Sequence, residues 1–145
     1  MITQFKKLTT QERKLLYTAP VLVSVLASCS FNKINKIQKA DALKLAHLKT
    51  FTAIPLLIPY YTIVEEKFKE LFEEAIKEYF PFDEGMRIKL KKEIDKVNLV
   101  FEKLDIEYAR VLHKSLEKYA RHFKRSTHNV FVDFILPFPI PGLTD

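Results

Sequence analysis

From Leu15 to Asn32 the chain carries no charged residue, so a water-soluble fold has to wrap this stretch on nearly every side. The pattern predicts a central helix. Thr9 and Glu12 stand at the S/T-x-x-E spacing of a capping box and mark its start. Pro20 has no amide hydrogen and its ring crowds the carbonyl four residues back. The expectation is therefore one helix from Thr10 to about Thr18 and a restart from Pro20 to Ser28. A polar turn, FNKINKIQ at residues 31–38, follows. Helical spacing then returns from Lys39 to about Phe51, with Ala40, Leu43, Ala46 (or His47) and Leu48 facing inward.

Thr52 to Tyr61 is apolar and holds Pro55 and Pro59, which predicts a buried connection with Pro59 opening the next helix. Ile63, Val64, Phe68, Leu71, Phe72, Ala75, Ile76 and Tyr79 then recur every three or four residues, with Glu and Lys on the opposite face, up to a stop at Pro81. Asp83 is placed to cap a helix with Ile88, Ile94, Val97, Phe101 and Leu104 inward. A last helix carries Ala109, Leu112, Leu116, Tyr119, Ala120 and Phe123. No Gly or Pro separates these two, but a single helix from Gly85 to His122 would be unusually long for a compact domain. A turn is expected near Leu104 and Asp105, since Asp is a good N-cap. From Asn129 the chain is apolar with Pro137, Pro139 and Pro141 at alternate positions. Residues 129–145 read as an extended strap that buries Phe131, Phe134, Ile135 and Phe138 across the core; the alternative is an exposed apolar surface for a partner or membrane. The whole predicts an all-α, single-domain fold over residues 1–145: a bundle of five or six helices around a buried N-terminal helix, core 8–128, closed by a Pro-rich strap.

Composition narrows the chemistry. A single cysteine, Cys29, allows no intrachain disulfide and no multi-cysteine metal site, which fits a reducing compartment and places the protein in the cytoplasm by expectation. Gly85 and Gly142 are the only glycines, too few for a dinucleotide fingerprint, and no P-loop pattern occurs. His47, His113, His122 and His128 lie at no metal-ligand spacing, and no serine sits in a nucleophile elbow. The Glu66, Glu70 and Glu74 ladder lacks the Glu-x-x-His partner of a di-metal bundle and reads as a solvated face. No catalytic, cofactor-binding or metal-ligating set emerges, and the expected activity is non-catalytic.

The net charge of +6 is unevenly spread: residues 1–50 hold nine Lys or Arg against Glu12 and Asp41, whereas residues 51–80 hold three Lys against six Glu. The sharpest feature is on the last helix. Arg110, Lys114, Lys118, Arg121 and Arg125 fall at steps of four, four, three and four, which aligns them in one basic ridge. Such a ridge could grip a phosphate backbone or anionic headgroups. Its bland reading is a solvated face, partly neutralised by Glu107 and Glu117, with no interleaved aromatics to stack bases. A separate alternative comes from Leu26-Ala27-Ser28-Cys29 behind Lys6, Lys7, Arg13 and Lys14, which looks like the lipobox of a bacterial lipoprotein anchored at Cys29. Glu12 within the basic region and the helix cap favour a retained helix with Cys29 as a small core residue.

The run LTTQERKLLYTAPVLVSVLAS, a short polar turn and then KADALKLA resembles tellurite-resistance TerB-like domains. In that family an apolar helix leads to an acidic turn, D-G-K-I-D-x-x-E, thought to bind a divalent cation. The resemblance implies an all-helical domain and a binding or scaffold role, with a protein partner, in a bacterial stress or envelope-associated system. The acidic positions correspond to Phe31, Asn35 and Gln38, none of them a carboxylate, with Lys33, Lys36 and Lys39 around them. Hard divalent ions need several anionic oxygens, so the implied metal site is expected to be lost.

Overall fold

The Thr9 and Glu12 pair forms its cap in both directions: the Thr9 amide donates to Glu12 Oε1 at 2.8 Å and the Glu12 amide to Thr9 Oγ1 at 3.1 Å. Helix α1, Thr10–Ala27, starts there. The computed structural model describes residues 2–27 and 36–123. Cys29, the turn positions Phe31 and Asn35, His128, Arg125 and the 129–145 strap lie outside the described residues. After α1 come α2 (Lys36–Thr52), α3 (Ile58–Tyr79), α4 (Glu84–Phe101) and α5 (Ile106–Phe123), with 3-10 turns at Thr3–Phe5 and Pro55–Leu57.

Helix α1 is the axis of an all-α bundle and packs against α3, α4 and α5, while α2 lies on α3 and reaches α5. Every residue from Ala19 to Leu26 is buried, Pro20 and Ser24 included. The uncharged run is thus enclosed on all sides from Ala19 to Leu26. It is also a single helix, contrary to the expected break at Pro20, and the reason is tertiary. Pro20 leaves the Leu16 carbonyl without its helical donor, and the hydroxyl of fully buried Tyr60, from α3, donates to that oxygen at 2.5 Å. Ser24 Oγ in turn donates to the Pro20 carbonyl at 2.8 Å.

The remaining helices begin where side chains can take up free amides. Asp83 Oδ1 accepts from the Met86 amide at 2.8 Å to open α4, and Asp105 Oδ2 from the Tyr108 amide at 3.2 Å to open α5. The α4–α5 turn therefore falls at the predicted place. Pro59 sits in the first turn of α3, and α3 ends before Pro81. On α3, Val64, Phe68, Phe72, Ala75 and Tyr79 are buried as the periodicity requires, joined by Tyr60 and Tyr61.

Three local expectations are corrected. The inward face of α2 is built on Ala42 and Ala46, while Ala40 and His47 are exposed, because α2 seats small side chains against α3. Ile88 is half exposed and Leu90 takes its place inside. The α2–α3 connection is not a buried one: only Leu57 is enclosed, and Ile54 and Leu56 stand 50% and 41% exposed.

An aromatic cluster ties the N-terminal turn to the bundle. Phe5, fully buried, meets Tyr17, Tyr60 and Tyr108 at centroid distances of 5.6, 6.2 and 5.6 Å, the last two edge to face, the geometry aromatic rings prefer. Arg13 closes it from outside, donating through Nε to the Phe5 carbonyl at 3.0 Å.

Candidate functional site

The basic row predicted on the last helix divides in the structure. Arg110, Lys114 and Lys118 line one groove of about 280 Å3 between α5 and the end of α2. Arg121 is not among its lining residues, and its guanidinium pairs with Glu117 at 3.1 Å. Arg110 shares its charge with Glu107 one turn back. Arg125 is outside the described residues.

Across from α5, helix α2 supplies Lys49 and Thr52, and the segment after it supplies Ala53, Ile54 and Leu57. Val111 completes an apolar floor. Ser115 lies at the base, its hydroxyl hydrogen-bonded to that of Tyr61 at 2.6 Å. Thr52 spends its hydroxyl proton on the Leu48 carbonyl at 2.8 Å. Lys49 was missed by spacing alone, since it sits far from Arg110 along the chain and joins the site only through the packing of α2 on α5.

The electrostatics of the groove are unbalanced. Lys49, Lys114 and Lys118 form no ion pair with any carboxylate among the described residues. Among the described residues no Asp or Glu lines the groove. Lys49 is half-buried, and burial, with the nearby positive charge of Lys118 adding to it, pushes its ammonium below the usual lysine value. Both causes act against the charged form. An anion placed among these amines would reverse the second and offset the first.

Two other concave regions are of different character. A wide trough of about 610 Å3 runs between α1, α3 and α4, with Glu74, Glu78 and Glu93 facing Lys14 and Lys96. Acidic and basic side chains are mixed in it: Glu93 pairs with Lys96 inside the lining at 3.0 Å, and Glu78 pairs with Lys89 outside it at 2.7 Å. A small apolar cavity of about 20 Å3 lies among Leu22, Ile94, Val97, Phe101 and Leu116, with Asn98 and His113 in its wall. His113 is buried, and its Nδ1 lies 2.9 Å from Glu117 Oε1. Since Glu117 also holds Arg121, that histidine belongs to a short polar chain leading from the core to the surface of α5.

Among the described residues no group of three or more His, Cys, Asp or Glu converges to hold a metal ion. No helix among them is long and apolar enough to cross a membrane. Fold and site together define an all-α helical bundle with a basic groove on one flank, its described lining free of carboxylates. Comparison with protein-family models, with curated proteins and with solved structures found no match for this chain.

Proposed function

We propose that this chain is a non-catalytic binding protein whose basic groove receives a partner carrying clustered negative charge. One observation carries the reading: three lysines from two helices converge on a groove with no carboxylate among its described lining residues. Like charges brought together raise the free energy of the folded state, and a solvated helix face has no need to gather them in a concavity with Lys49 half-buried. The TerB-like resemblance supports a scaffold role in a bacterial stress or envelope-associated system, with the cytoplasm as its proposed setting.

The test is charge reversal in place. Lys114→Glu with Lys118→Glu is expected to weaken binding to a soluble polyanion, such as polyphosphate or heparin, by more than about tenfold in low salt. The slope of log affinity against log salt should fall with it. Lys91→Glu with Lys92→Glu on α4 changes net charge equally, and both residues are exposed and outside the groove. Equal losses from the two double variants would refute a groove and leave only net charge.

A further inference from the structure

Beside the lysines stands an apolar projection that their charge does not explain. Ile54 and Leu56 flank Pro55 in the α2–α3 connection and are 50% and 41% exposed, and Ile54 is itself part of the groove wall. Ile106, 57% exposed, heads the α5 row one turn before Arg110. One large exposed aliphatic side chain, Ile54, thus lines the cationic groove, with Leu56 two residues further along the same connection and Ile106 one turn before a lining residue on α5.

We infer that this face docks on an anionic membrane surface, with Ile54 and Leu56 entering the boundary of the acyl region while Lys49, Lys114 and Lys118 contact headgroup phosphates. This rests on the reading of the groove as an anion site. The two halves suit each other: basic residues near an anionic bilayer each raise partitioning by about fivefold, and a single weak signal gives only transient attachment unless a second accompanies it. Pro55 restricts the backbone between the two aliphatic side chains, so that little chain freedom is lost on insertion. A nucleic acid would use the same charges, but it has no use for the aliphatic tip, and the described residues of the groove lining include no aromatic side chain to stack a base. The association is peripheral, through a loop and helix flank.

The chain has no tryptophan, so Leu56→Trp in the full-length protein gives a fluorophore at the tip alone. Mixed vesicles of phosphatidylcholine and phosphatidylglycerol should shift its emission to the blue, and quencher-labelled acyl chains should quench it. Phosphatidylcholine vesicles should do neither. In vesicle sedimentation, Lys114→Glu with Lys118→Glu should lose at least about 25-fold in affinity, from two fivefold steps. Ile54→Ser with Leu56→Ser should lose about tenfold on mixed vesicles while binding polyphosphate and a DNA duplex as the parent does. Ile54, Leu56, Lys114 and Lys118 are exposed, and unchanged thermal melts would show that the variants fold. If the Trp emission stays unshifted, if the Ser variant binds vesicles undiminished, or if DNA is bound in preference to vesicles, the membrane inference is overturned and the groove reading stands. If charge reversal weakens binding to no polyanion or vesicle, both fall.

Discussion

The hydrogen bond from Tyr60 to the Leu16 carbonyl carries a sharp prediction. Tyr60→Phe removes the donor that serves an acceptor deprived by Pro20 of its helical partner, deep in the bundle. Leaving a buried acceptor unsatisfied costs about 1–3 kcal/mol. With an unfolding entropy of about 2.1 cal/mol/K per residue, that is a fall in Tm of about 3–10 °C for a chain of 145 residues. The diagnostic step is the cycle with Pro20→Ala. Alanine returns an amide hydrogen to position 20 and lets the helix satisfy Leu16 itself, so Tyr60→Phe should then cost less by about 1 kcal/mol or more. Denaturant unfolding of the four proteins, compared at constant m-value, measures the coupling. Equal losses from Tyr60→Phe with and without the Pro20→Ala change would refute the account of why α1 stays continuous.

Three further outcomes follow. Asp83→Ala should lower stability by about 1 kcal/mol through loss of the α4 cap, with Asp83→Asn nearly neutral, in urea titrations. Lys103 and the Thr9 amide hold the Glu12 carboxyl below its ordinary 4.5; a depressed carboxylate stabilises the fold above the unfolded value and loses that contribution as pH falls through the folded one. Glu12→Gln should therefore flatten the acid side of the stability profile below about pH 4.5, and an unchanged profile would contradict the pairing. In the groove, 13C-methylated Lys49 should titrate below the exposed lysines. Lys118→Met should move it upward without restoring it fully, because burial is the larger cause.

The frame of this fold was legible because its signals are local. An uncharged run names the central helix, and Thr9, Asp83 and Asp105 are side chains that cap helices within three residues of themselves. Pro20 misled because the group that rescues its helix lies on α3, 44 residues from Leu16. The α2–α3 connection misled in the opposite sense: Ile54 and Leu56 are as apolar as any core residue, and nothing in a single sequence separates apolar side chains that pack inward from those that project. The basic row on α5 could be read from helical spacing, yet its partition could not. Glu107 and Glu117 take Arg110 and Arg121, while Lys49 arrives from another helix to join Lys114 and Lys118.

The enclosure of α1 bears on the order in which the chain can mature. Its segment Val21 to Leu26 is rich in β-branched residues and free of charge, a composition that pairs readily with copies of itself when left bare. It leaves the ribosome ahead of α3, α4 and α5, the helices that cover it. The proline at its head is then a gatekeeper as well as a helix residue, for it cannot donate to a growing strand ladder. Newly made chains carrying Pro20→Val should form more inclusion bodies than the parent, even where the purified variant is no less stable.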